Sequence, residues 1–115
     1  MSEKQKLLIV DDSELNRDIL KEILGSRYDY MEAENGTQAI QILEVHPEID
    51  LMLLDINMPQ MNGFQVLEHM RELQWIDEVP VVMISSEESV EIMRKAYDLG
   101  ITDYISRPFD AVIVK

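Results

Sequence analysis

Leu7-Leu8-Ile9-Val10-Asp11-Asp12-Ser13 is the stretch that decides the fold: four apolar residues in an unbroken run, then two carboxylates, then a hydroxyl suited to capping a helix. A strand buried on both faces has no polar side, so an unbroken apolar run marks a parallel sheet covered by helices. The pattern recurs. Leu51-Met52-Leu53-Leu54 stops on Asp55, Val81-Val82-Met83-Ile84 stops on Ser85-Ser86, and a weaker run, Tyr104-Ile105-Ser106, stops on Arg107-Pro108.

Between these runs the apolar period becomes helical. Leu15, Ile19, Leu20, Ile23 and Leu24 are expected on one inward face, with Ser13 as cap and Gly25 as stop. A weak strand is expected over Tyr28–Ala33. Asn35-Gly36-Thr37 then opens a second helix that turns Ala39, Ile40 and Leu43 inward and ends before His46-Pro47. The loop Met58-Pro59-Gln60-Met61-Asn62-Gly63 is rich in turn residues. A third helix after it is expected to bury Val66, Leu67, Met70 and Leu73. Pro80 precedes the next strand, and a fourth helix, with Val90, Met93, Ala96 and Tyr97 inward, closes at Gly100.

Repeated β-α alternation implies an α/β fold: a doubly wound parallel sheet with helices on both faces. The last unit is cut short, because after the candidate cap Asp110 only Ala111-Val112-Ile113-Val114-Lys115 remain. So few residues make a marginal helix. Residues 1–115 are therefore expected to be one domain, the N-terminal module of a longer protein, with its last helix truncated.

With 23 acids against 10 bases, the net charge of −13 argues against direct binding to nucleic acid or to an anionic membrane surface. Residues 1–6 are polar and the run after them is four residues long, which is neither a signal peptide nor a membrane span. The chain has no cysteine, so disulfides and thiolate zinc sites are excluded, in keeping with a reducing cytoplasm. His46 and His69 have no second ligand at metal spacing and read as surface residues. The eight methionines read as core filler. Trp75 is either a partner contact or a lid over the core.

In doubly wound sheets, ligands bind beyond the carboxyl ends of the strands, where the strand order reverses. With strands 1 and 3 adjacent at that reversal, Asp11-Asp12 and Asp55 converge, with Ser85 one strand further and Arg107 beyond it. Three carboxylates about 5 Å apart repel by roughly 3 kcal/mol per pair at an effective dielectric of 20. A hard divalent cation removes that cost. A hydroxyl and a guanidinium can hold phosphoryl oxygens, and a carboxylate beside the metal can itself be phosphorylated.

In this order and spacing, these residues resemble the receiver (response-regulator) domains of two-component signalling, from residue 7 to about residue 110. The resemblance implies a flavodoxin-like five-stranded sheet of order 2-1-3-4-5. A chemotaxis member of the family is itself a standard example of that order, so the order comes with the resemblance rather than from spacing. It implies Asp55 as phosphoacceptor and Mg²⁺ (or Mn²⁺) held by Asp12, Asp55 and the backbone carbonyl of Asn57, with Asp11 acting through water. Ser85 takes the hydroxyl switch position and Tyr104 the aromatic one. Met58-Pro59 and Gly63 fit the family's loop after the acceptor strand, and Asn57 and Glu87 stand where the family tunes dephosphorylation.

The implied partners are a histidine kinase or phosphotransfer domain, and an output domain or partner protein that reads the face of strands 4–5 and helices 4–5. That face can also form a homodimer. A cytoplasmic bacterial signalling module is implied, not an enzyme in its own right. There is one departure: Arg107 stands where the family has lysine, before a proline, Pro108, that is a candidate for a cis bond. Arg107 motivates an alternative, a docking or dimerisation scaffold with impaired phosphate switching. A haloacid-dehalogenase-type phosphohydrolase is a third reading, disfavoured because its second acid, two residues after the nucleophile, is here Asn57.

Overall fold

The computed structural model describes residues 4–56, 58, 61–85 and 89–106. Among these residues there are five strands: β1 (Gln5–Val10), β2 (Tyr28–Ala33), β3 (Leu51–Asp55), β4 (Val81–Ser85) and β5 (Asp103–Ser106). They alternate with α1 (Glu14–Leu24), α2 (Gly36–Val45), α3 (Gly63–Glu72) and α4 (Val90–Asp98). All the pairings are parallel and the strand order is β2-β1-β3-β4-β5, the doubly wound arrangement. Asp110 and the expected fifth helix lie outside the described residues.

Strand alternation divides the core. Leu8, Val10, Met52, Leu54, Val81, Met83 and Tyr104 belong to the larger cluster, with Ala39, Leu43, Val66, Leu67, Met70 and Ala96 from α2, α3 and α4. Ile9, Leu53 and Ile84 point the other way and meet Leu20 of α1. Beside α1 this second face carries a groove of about 400 Å³, lined in part by Leu24, Leu51, Val82 and Ile105.

Local chemistry sets the helix bounds. Ser13 Oγ accepts the N–H of Asn16, and Gly25, at φ 83°, closes α1. Asn35 caps α2 through the N–H of Gln38, and Asn62 with Gln65 forms a reciprocal capping box on α3. α3 and α4 end alike: Trp75 N–H reaches Met70 O and Gln74 N–H reaches Arg71 O, as Ile101 reaches Ala96 and Gly100 reaches Tyr97. Gly100 has φ 107°, whereas the corresponding residue after α3 is a non-glycine, Gln74, at φ 63°.

Five expected core positions are instead exposed. Leu15 and Ile19 are 68% and 38% exposed, because the buried stripe of α1 runs through Arg17 and Leu20, about 100° or more round the helix from them. Val90 and Tyr97 flank, rather than occupy, the α4 stripe of Ile92, Met93 and Ala96. Leu73 is the C-cap of α3, past the part of the helix that lies on the sheet. Trp75 is partly buried against the larger cluster.

Candidate functional site

Asp11 follows the last residue of β1, and Asp55 is the last residue of β3. The parallel register pairs Val10 with Leu54, so both acids emerge at the same level of neighbouring strands. Their carboxylates and that of Asp12 offer oxygen atoms that all lie within 4.8 Å of one another. Asp11 and Asp55 are buried, 1% and 4% exposed, while Asp12 faces solvent. Ser85, fully buried, ends β4 one step beyond the Asp55–Ile84 pair. Tyr104 is buried on the α3–α4 side, level with Met83, two positions short of the β4 end.

Asp11 is pinned at three points. Its N–H donates to Ala33 O at 3.1 Å, its Oδ1 accepts the N–H of Ser13 at 2.9 Å, and its carbonyl accepts from Arg17 Nη1 at 2.7 Å. Asp55 is held from the far side. Gly63, the first residue of α3, donates its N–H to Ile56 O at 2.9 Å. A Cβ on Gly63 would lie 2.6 Å from Asp55 O and 2.9 Å from Ile56 Cα. Only glycine lets α3 start this close to the end of β3.

An all-oxygen, strongly anionic donor set with one solvent-facing member fits a hard divalent cation such as Mg²⁺, which takes one or two carboxylates and keeps several waters. It does not fit a soft metal, which prefers thiolate or imidazole. Asn57, Glu87, Arg107 and Pro108 lie outside the described residues.

Residue-type reasoning missed Arg17 and Glu32. Arg17 is 7% exposed, and its Nε donates to Glu32 Oε1 at 2.9 Å. Lys21 Nζ contacts the other oxygen of Glu32 at 2.9 Å and Asp18 at 3.4 Å. The hydrogen bond from Lys21 holds the Glu32 carboxyl below its ordinary value, with that from Arg17 adding to it. The same hydrogen bond raises the Lys21 amine. A helical wheel centred on Leu20 and Leu24 puts Arg17 beside them on the inner stripe, and that was the available signal.

A doubly wound, flavodoxin-like sheet with an acidic crevice at its carboxyl edge defines the class. The chain belongs to the response regulator receiver domain family, whose model matches residues 7–114. It is 35% identical to chemotaxis protein CheY1 of Helicobacter pylori over 112 residues, 96% of this chain and 90% of that one. It is 33% identical to a probable cyclic di-GMP phosphodiesterase of Vibrio cholerae, over 95% of this chain but 24% of the phosphodiesterase. Among solved structures it resembles the CheX–CheY–BeF3–Mg²⁺ complex of Borrelia burgdorferi, with a TM-score of 0.88 and 30% identity over 96% of this chain and 83% of that one. Among the described residues no helix is long and apolar enough to cross a membrane.

Proposed function

We propose that this receiver domain is switched by phosphorylation of Asp55, with the phosphoryl group supplied by a phosphohistidine on a kinase or phosphotransfer domain in the cytoplasm. The observation that carries this reading is the meeting of Asp11, Asp12 and Asp55 at adjoining strand ends. An Asp55 carboxylate oxygen attacks phosphorus, and the P–N bond of the phosphohistidine breaks. The bonding pair returns to the imidazole, which takes a proton from solvent. Asp12 and Asp55, with the carbonyl of Asn57, would hold Mg²⁺, Asp11 acting through a bound water, and the ion would offset the charge of the acids and of the incoming anion.

Ser85 then donates its hydroxyl to a phosphoryl oxygen, and Arg107 supplies the cation that lysine supplies elsewhere in the family. Capture of the phosphoryl oxygens by Ser85 shifts a pre-existing equilibrium of the β4–β5 and α4 face, with Tyr104 turning as part of it. Partners that read that face are proteins, or an output domain carried further along a longer chain. The Borrelia complex, with both Mg²⁺ and a protein partner, supports this assignment.

Incubation with acetyl phosphate and Mg²⁺, followed by intact mass spectrometry, is expected to show one added phosphoryl group that Asp55→Asn abolishes. No adduct with any donor, together with no Mg²⁺ binding, sinks the proposal. Arg107→Lys tests the docking-scaffold alternative: unchanged phosphorylation and unchanged partner binding remove its basis.

A further inference from the structure

Asp11 lies in the turn between β1, which ends at Val10, and α1, which begins at Glu14, so the strand register alone does not fix its angle. Two consecutive residues of β2 hold it in place. Ala33 does so directly, through its carbonyl, and Glu32 does so through Arg17, whose guanidinium bridges Glu32 Oε1 and the Asp11 carbonyl. We infer that Arg17 is a positioning residue for metal binding. It sets the turn that presents Asp11 and Asp12 to Asp55, and so fixes the affinity of the acidic crevice for a divalent cation. This rests on the reading of that crevice given above.

The geometry favours orientation over charge. Arg17 shares Glu32 with Lys21, which also pairs with Asp18, so the two cations and two acids balance and little of the charge of Arg17 is left to act on the crevice. What remains is a rigid planar fork with one prong on Glu32 and one on a main-chain carbonyl, which the single ammonium of lysine cannot reproduce. With Arg17 removed, Asp11 keeps its link to Ala33 and its side-chain contact with Ser13. The turn stays folded but loses the brace that sets its angle. Outer partners of this kind typically control metal affinity by 10–100-fold.

The test is calorimetric titration of Mg²⁺, with Mn²⁺ as a second probe, into wild type, Arg17→Met, Arg17→Lys and Glu32→Gln, each shown to be folded by circular dichroism. Both Arg17 variants are expected to weaken Mg²⁺ by at least about tenfold, with Lys failing to rescue. Glu32→Gln moves the same way by less. Acetyl-phosphate labelling of the Arg17 variants is expected to approach the wild-type extent once Mg²⁺ is saturating, which places the loss in metal binding. A merely structural role lowers the melting temperature and leaves the dissociation constant of the folded fraction unchanged; that result overturns the inference. So does full rescue by Lys. If the Arg17 variants do not fold, Glu32→Gln decides: unchanged affinity rejects the brace. If wild type itself neither binds metal nor takes up a phosphoryl group, the reading of the crevice fails, and this inference with it.

Discussion

At the amino-terminal edge of the sheet, Glu48 lies between Lys6 Nζ at 3.1 Å and His46 Nδ1 at 2.9 Å, and Asp50 accepts the N–H of Lys6 at 2.8 Å. At the carboxyl edge, Asp11, Asp12 and Asp55 bring their oxygens within 4.8 Å of one another. The residue types are alike and the arrangements are opposite. The amino edge sets acids against cations and main-chain donors in solvent, where such pairs add little. The carboxyl edge brings acid up to acid, two of them buried, at a cost of roughly 3 kcal/mol per pair before screening, even with the Ser13 N–H donating to Asp11. Acidity alone does not mark a site. Convergence of like charges in a buried crevice does, because their mutual repulsion works against folding.

The largest effect that would break this contrast is that of Asp55→Asn. In chelator it is expected to raise the stability of the fold by about 1–3 kcal/mol, since one of the crowded charges is gone. In Mg²⁺ it is expected to lose the metal-dependent gain, about 2.7 kcal/mol for wild type at a hundredfold excess over the dissociation constant. Urea unfolding with and without Mg²⁺ measures both. A loss of stability in chelator would show that the three acids do not repel, and the contrast between the edges collapses.

Gly63→Ala tests how tightly α3 closes on Asp55. Its Cβ must push against main-chain atoms at 2.6 and 2.9 Å, so a loss of about 2 kcal/mol is expected, with weakened Mg²⁺ binding. A neutral result by denaturant titration would mean that the end of β3 can shift without harm.

Gln74→Gly, beyond the end of α3, serves as a control. Relief of the left-handed conformation at φ 63°, offset by the greater freedom of glycine in the unfolded chain, is expected to add about 0.5 kcal/mol and leave Mg²⁺ affinity unchanged. A change in affinity would mean that global stability, not local geometry, governs the crevice.

Glu48→Gln is expected to have the smallest effect: a slight loss at neutral pH and an unaltered Mg²⁺ response. Hydrogen bonds from His46, from its own backbone and from Lys6 hold the Glu48 carboxyl down at about 2, against an ordinary 4.5. The lowered value means that the pair stabilises above the ordinary value and loses that contribution as pH falls towards about 2. The gap between variant and wild type should therefore close across that acid range in thermal melts. A gap that widens on acidification reverses the sign.

Much of the fold was legible along the chain. The weak strand Tyr28–Ala33, the cap Ser13, the helix opening at Asn35-Gly36-Thr37, and the stops at Gly25 and Gly100 are local features, set by backbone chemistry within a few residues. The exposed positions of Leu15, Ile19, Leu73, Val90 and Tyr97 were not legible. An apolar period identifies a helix but does not say which of two overlapping stripes the sheet covers, nor where the helix overhangs the sheet. In α1 a buried arginine occupies part of the inner stripe, and hydrophobicity counting passes over it.

The sequence by itself determined the alternation of strand and helix and the carboxylates and hydroxyl that end the strands. Both are written in contiguous residues and governed by short-range sterics and burial. Only the tertiary structure decided that Arg17 joins Glu32 to the Asp11 carbonyl, and how closely the three acids meet, within 4.8 Å. The reach from Arg17 to Glu32 and the meeting of Asp11 with Asp55 span distances along the chain that local propensities do not reach. They exist because the crossovers lay β2 and β3 on either side of β1 in one register, and that register is settled by packing both faces of the sheet at once.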